Sequence, residues 1–317
     1  MNVVFYFVFL FCFFGCVDVK YDNSSGSINE ILVVYDDYYN KLEIEKFLNS
    51  KNKNFTGLPQ KERTFDITYI PSKSFKNIFK KQRCIILITK SDKNLLKVFL
   101  DKWANQQVVF CFFSKDFQSF KELAEADINQ VFSKISETHA DFLFSEIKTK
   151  QDKDIHFFIK EKFNLLLYPP KGFIINKEDS CSLWLLYENN KNGLLNNILI
   201  HTYPETSLKN KDILDLREKK LKNFIETQEG SYFMTETRYN INFEQDTSKW
   251  YFENSMAGLW SINGASMAGP FYSKIIRDTV NKRLIFLESF LFYPNENKRN
   301  LIIQNKVLLN NYIITNN

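Results

Sequence analysis

The sequence predicts an α+β protein of two consecutive halves, each a mainly antiparallel sheet flanked by helices, joined by a long helical segment. Three observations predict it. Short runs dense in β-branched and aromatic residues, such as "RCIILITK" and "QQVVFCFFS", recur along the chain and mark well-covered strands. From Lys115 to Tyr168 there is no Gly or Pro, and apolar residues return at helical intervals. Each half shows strands flanked by helices, which fits an α+β sandwich better than a parallel α/β wind.

The opening "MNVVFYFVFLFCFFGC" is apolar from Val3 to Phe14. That is shorter than the roughly 20 residues a membrane-crossing helix needs. It matches an export-signal core of roughly 7–15 apolar residues, with the small Gly15 before Cys16 at a cut site. Gly15-Cys16 resembles a bacterial lipobox, so residues 1–15 are expected to be a lipoprotein signal and Cys16 the lipidated residue. A non-lipid export signal and a hydrophobic first strand are the alternatives. The n-region carries no Lys or Arg. "VDVKYDNSSGSINE" is rich in Asp, Asn, Ser and Gly, so residues 16–29 are expected to be a lipidated Cys and a flexible tether. Such a tether would reach roughly 20 Å as a coil and about 45 Å stretched.

The N-terminal half is expected over 30–150. "EILVVYDDYYN" opens it as a strand, and Leu42, Ile44, Phe47 and Leu48 give "KLEIEKFLNS" helical spacing. "FDITYIP" is a strand ended by Pro71, and "SKSFKNIFKKQ" places Phe75, Ile78 and Phe79 on one helical face. The two Cys-containing strands follow. Ser114 and Asp116 are candidate caps for a helix through Phe117, Phe120, Leu123, Ile128, Val131, Phe132 and Ile135. The charged "KTKQDKD" is expected to be an exposed part of a second helix or a loop.

The C-terminal half is expected over 151–317. Pro169, Pro170 and Gly172 form a turn between strands, "NILIHTYPE" is a strand, and "DILDLREKKLKNFIE" is an amphipathic helix. "GSYFMTET", "KWYFEN", "GLWSI", "GPFYSKIIRD" and "RLIFLESFLFYP" supply a run of strands, the last two joined through "DTVNK" as a hairpin. "NENKRNLIIQNKVLLNNYII" closes the chain as a helix capped near Asn295.

Composition is that of an ordinary globular chain, 44% hydrophobic and 25% charged, with net charge +5. Lys is interleaved with Glu, Asp and Asn, so the charges are expected to be a solvated surface and no nucleic-acid partner is implied. Cys84, Cys111 and Cys181 lie in or beside strand-like runs without a C-x-x-C, which fits buried thiols; Cys84 and Cys111 could bridge if their strands were neighbours. His139, His156 and His201 lack ligand spacing, so no metal or cofactor is expected. Ser266 in "NGASMAGPF" fails the nucleophile-elbow spacing, because two residues separate it from Gly269.

"SINEILVVYDD", "GLPQ" with "FDITYIP", and "GLWSINGASMAGPFYS" with "FYPNENKRN" together resemble the DUF4837 family of uncharacterised Bacteroidota envelope lipoproteins. The resemblance implies an export route and a shared fold, and no activity. The expected function is a periplasm-facing, membrane-anchored cell-envelope protein that binds or scaffolds an envelope protein or glycan. The alternatives are an envelope hydrolase acting on glycan, peptide or ester, and a passive spacer. The glycine loop has two readings. Gly264, Gly269 and Pro270 would allow a tight connection against which Trp260, Met267 and Phe271 pack. Alternatively Met256, Trp260, Met267 and Phe271 would form an exposed partner-binding surface, with Arg277, Arg283, Glu288, Lys298 and Arg299 as its polar rim.

Overall fold

The computed structural model describes residues 21–205, 210–225, 227, 231–239, 241–246 and 253–315, and among them it forms two large sheets, a two-stranded one and six helices. Residues 1–15, Cys16, the tether as far as residue 20, and the "KWYF" that begins the "KWYFEN" strand lie outside the described residues.

The first half runs β1 (Glu30–Tyr35), α1 (Lys41–Lys51), β2 (Asp66–Pro71), α2 (Asn77–Lys80), β3 (Cys84–Lys90), β4 (Leu95–Leu100), β5 (Val108–Ser114) and the 33-residue α3 (Phe117–Thr149). Its sheet has the order β2-β1-β3-β5-β4. The α+β class holds for the molecule, but this sheet corrects the expectation of two mainly antiparallel ones: β2, β1, β3 and β5 are parallel, and only β4 runs against β5. The near-continuous apolar runs of β1, β3 and β5 fit that arrangement, since parallel strands are buried on both faces. One face packs under α1 and α3 through Ile86, Phe112 and Phe120, while the other holds Leu32, Ile85 and Val109 beside Phe75 and Trp103. Cys84 faces the first core and Cys111 the second, three residues out of register, so the neighbouring strands leave both as free buried thiols. "SKSFKNIFKKQ" forms only a 3-10 turn and the short α2, with Ile78 exposed instead of facing a core.

The tether expectation is corrected over its second part. Ser24 and Ser25 donate backbone N–H groups to Asn105 O and Lys81 O at 2.9 and 2.8 Å, and Arg83 N donates to Ser25 O at 2.8 Å. Ser24 and Asn29 are buried. Backbone pairing to the sheet end gives these small polar residues the partners that solvent would otherwise supply.

The second half runs α4 (Lys153–Phe163), β6 (Leu165–Leu166), β7 (Ile174–Glu178), β8 (Ser182–Asn189), β9 (Leu194–Pro204), α5 (Asn210–Phe224), β10 (Tyr232–Thr235), β11 (Asn242–Asp246), β12 (Glu253–Asn263), β13 (Ala268–Asp278), β14 (Arg283–Phe292), α6 (Arg299–Asn310) and β15 (Ile313–Ile314). Its large sheet is antiparallel, ordered β10-β12-β13-β14-β9-β8-β7 with β11 on β12. Alternation along β14 sorts the cores. Ile285 and Leu287 point to α3, α4 and α6, while Phe286 and Phe290 point to α5.

Two devices join the halves. α3 starts at the cap Asp116, which accepts from Ser119 N at 2.8 Å, buries Phe120 to Ile135 in the first half, then Leu143 and Ile147 in the second. The second device sits at the start of α6, whose N-cap Lys298 gives no side-chain hydrogen bond. Glu62 from the first half supplies it instead, accepting from Lys298 N at 2.8 Å and Arg299 N at 3.0 Å. Asn295 is thus not the cap; it adopts a left-handed φ of 62° before the helix. Arg299 adds a bidentate pair to Asp66 and donates to Arg63 O.

Replacing Glu62 with Ala leaves two helix-end N–H groups without their buried acceptor. We expect a stability loss of about 1–3 kcal/mol, read as a lowered urea midpoint. An unchanged midpoint would show that Glu62 is dispensable to α6.

Candidate functional site

The residues expected to form an exposed contact surface are core. Met256, Trp260 and Phe271 are buried between α5 and the large sheet, with Met267 packed against them. Trp260 stacks on Phe233 at 5.0 Å, meets Phe290 edge-on at 5.6 Å, and donates Nε1–H to Leu291 O at 3.1 Å. Gly269 pairs with Trp260 across β12 and β13, and a Cβ there would stand 1.8 Å from Leu291 O. The "GLW…AGPF" pattern is therefore a packing motif, in which a bare backbone lets the indole reach a carbonyl.

The expected polar rim dissolves likewise. Arg299 is buried on Asp66, Lys298 is buried, Arg283 pairs with the buried Asp278, and Arg277 lies 3.7 Å from Glu205. Glu288 is fully buried and holds Arg217 of α5 through Nε and Nη2 at 2.7 and 2.6 Å. Thr235 and Ser273 complete that network, and the guanidinium lies 3.8 Å above the Phe271 ring. Burial pushes the Glu288 carboxyl up against the pull of Arg217. An amphipathic reading of α5 hides Arg217, because its partner lies on a strand 71 residues away.

The serine–histidine geometry that the sequence did not signal lies at Ser182 and His201, opposite one another on β8 and β9, with Oγ 2.6 Å from Nδ1. Ser182 is fully buried and His201 nearly so. A nucleophile needs an approach for its electrophile, and here the sheet and α5 fill it. His201 is drawn down to about 4 by burial and then by Lys220, and His139 to about 4 by burial and then by Arg83. Among the described residues no group of three or more His, Cys, Asp or Glu could hold a metal ion.

The candidate site is a recess of about 310 Å³ on the other side of the large sheet. It is bounded by the last turns of α3, by α6, by the Pro170–Phe173 turn and by the ends of β8 and β9. Leu143, Ile147, Phe173, Leu194, Leu301 and Leu308 give it apolar walls. Asn196 and Asn305 lie at its base as a reciprocal amide pair, 2.9 and 3.3 Å, and Asn305 also donates to Ser289 Oγ at 2.5 Å. Both amides are buried. Glu146 and Lys150, paired at 2.5 Å, stand at the rim with Lys171. Gly172 holds the lip at φ 100°, where a Cβ would press the Tyr187 ring at 3.0 Å. Among the described residues no serine, cysteine or histidine lines the recess. Apolar walls with a few fixed polar groups suit ligand binding, and the volume is at the small end of the roughly 300–1,000 Å³ such sites span. The sequence carried one signal for it: "LLNNILI" sets Asn196 inside an apolar strand, and Asn305 shares a helix face with Leu301 and Leu308.

Fold and recess together define the class, an α+β protein with a ligand-sized hollow at the seam of its halves. Residues 150–311, just over half of the chain, match the family model described as domain of unknown function DUF4837, and the chain belongs to that family. Residues 24–153 match a second model, domain of unknown function DUF8532. No curated protein matches the chain. Among solved structures, the Saccharomyces cerevisiae Ran-binding protein Mog1p is similar at TM-score 0.33 and 9% identity, covering 48% of this chain and 91% of that one. A point mutant of the protein Mog1 gives 0.32, 9%, 48% and 92%. Mycobacterium tuberculosis LpqN, described as involved in cell envelope biogenesis, gives 0.30, 13%, 48% and 83%.

Substituting Gly269 with Ala drives a methyl into the Leu291 carbonyl. The expected loss is at or above the top of the roughly 1–3 kcal/mol range for overpacking, measured by chemical denaturation. The histidines set a pH dependence. Each folded-state value, about 4, lies below the ordinary 6.5, so between those values the unfolded chain binds protons the native one does not. Stability is complete above that window and falls as pH drops through it. The urea midpoint should be lower at about pH 5 than at about pH 7, with a smaller drop in His201→Gln.

Proposed function

We propose that this chain is a cell-envelope protein, anchored in the membrane through lipidated Cys16 and facing the periplasm, that binds another envelope component in the recess between α3 and α6. It acts by holding a ligand or partner segment and carries out no chemistry on it. The recess supports this reading: apolar walls, a pair of buried asparagine amides at the base, and lysines at the mouth, with no serine, cysteine or histidine lining it among the described residues. Its ligand is a small group, or a side chain of an envelope protein or glycan conjugate, with an apolar body, an amide-matching polar atom and a negative edge near Lys150 and Lys171. The apolar run Val3–Phe14 with Gly15-Cys16 supports the anchor. Two acyl chains would suffice for stable attachment, where one chain holds only marginally.

Cys16→Ala should move the protein from the membrane to the soluble envelope fraction; an unchanged distribution counts against the anchor. Leu301→Trp fills the recess from its half-buried rim. Binding of anilinonaphthalene sulfonate, an anionic apolar probe, should weaken about tenfold, or about 1.4 kcal/mol, with the thermal midpoint held. Equal binding by the variant would remove the recess from the proposal.

A further inference from the structure

One corner of the first half combines features that the fold does not use. The chain enters the described structure at Tyr21, whose carbonyl accepts from Asn105 Nδ2 at 2.6 Å, and Asp22 O accepts from Asn105 N. α2 is stitched to the same place: Lys81 O accepts from Ser25 N, and Gln107 Nε2 donates to Lys80 O and Gln82 O at 2.6 and 2.7 Å. Trp103 N donates to Gln107 Oε1, and its ring meets Phe75 edge-on at 5.5 Å. Tyr21–Ser25, α2 and the 101–107 loop are thus one rigid surface.

That surface has an unusual covering. Ile78 is 76% exposed, Leu100 66%, Tyr21 38% and Phe79 37%, so neighbouring segments present large apolar side chains to solvent. Around them Lys76 and Lys81 are exposed, Lys81 paired with Asp22 at 2.6 Å, and Lys80 and Lys102 are half-buried, with Asp101 as the second acid. Lys102 lies 4.8 Å over the Trp103 ring. Exposed apolar tips, Trp and Tyr rings and a surplus of Lys match the chemistry of a bilayer interface, where rings sit at headgroup level and each Lys near an anionic surface adds about 1 kcal/mol. Position agrees. Cys16 is five residues before Tyr21, a reach of about 17 Å at full extension, so whatever holds that stretch to lipid holds this corner close by.

Resting on the membrane placement proposed above, we propose that the corner made by Tyr21, Ile78, Phe79, Leu100 and Trp103 with its lysines docks on an anionic phospholipid bilayer, giving the anchored chain a second, orienting contact. It turns the seam recess in a fixed direction relative to the membrane instead of leaving it to tumble on a tether.

The test uses the full chain in vesicles of phosphatidylcholine brominated high in its acyl chains, with and without phosphatidylglycerol. Trp103 is isolated as the difference in emission quenching between the native chain and Trp103→Phe. Quenching at Trp103 should rise with phosphatidylglycerol and fall about twofold or more in the double variant Ile78→Glu, Phe79→Glu, whose exposed positions leave the thermal midpoint unchanged. Equal quenching in the native chain and Trp103→Phe overturns the proposal. A concentration-dependent dimer in sedimentation that Ile78→Glu abolishes also overturns it, assigning the corner to a second copy. Vesicle flotation in the same samples separates the two ideas. A chain that floats without quenching at Trp103 overturns the docking and leaves the anchor standing, and one that does not float overturns both.

Discussion

The carboxylate of Glu62 at the head of α6 is the constraint on which the rest of the arrangement depends. α6 forms one wall of the recess and covers one face of the large sheet, yet its own sequence provides no capping side chain. A residue more than 230 positions earlier accepts the first two N–H groups, and Arg299 locks onto Asp66 beside it. The Glu62 contact is largely out of water, which strengthens it and makes each partner costly to leave alone, while Arg299 is buried and its partner Asp66 faces solvent. The first half is therefore a structural part of the second half's site. α3 reinforces the link by burying one end in each core, so the recess opens where two rigid elements cross a seam.

Buried polarity is concentrated at such joints. Arg217 and Glu288 are both fully buried, and their attraction offsets desolvation only because Thr235, Ser273 and the Phe271 face occupy the remaining donors and acceptors. Removing either partner would strand the other. The Asn196–Asn305 pair differs: its amides satisfy each other while bordering a hollow, so they can turn one hydrogen bond toward a ligand at little cost. That contrast separates a fixed polar core from an adaptable site, although both are buried networks of similar size. Proposed function and proposed bilayer contact also divide along this line, the first inside the seam and the second on the exposed corner around α2.

Much of the local structure was legible. Asp116 caps α3, "DTVNK" turns β13 into β14, and the Gly269 region is a tight packing connection. The errors share a cause. "SKSFKNIFKKQ" has helical spacing but too little length to bury its stripe, so it forms a single turn with Ile78 in solvent. β4, "LLKVFL", goes unnoticed because an edge strand needs less apolar covering than a central one. Trp260 and Met256 have the composition of a binding surface and the burial of a core, and composition is the same for both.

Apart from α2 and β4, the sequence alone determined which segments become strands and helices, where several of them start and turn, and the family to which the chain belongs, because those depend on periodicity, caps and glycines within a few residues of each other. Tertiary structure alone decided that the first sheet is mainly parallel, that Arg217 and Arg299 point inward to partners, and that Asn196 and Asn305 meet at the base of a recess. Each of those outcomes depends on pairing between distant segments. The free energy of such pairing resides in packing and desolvation, and no short window of residues encodes it.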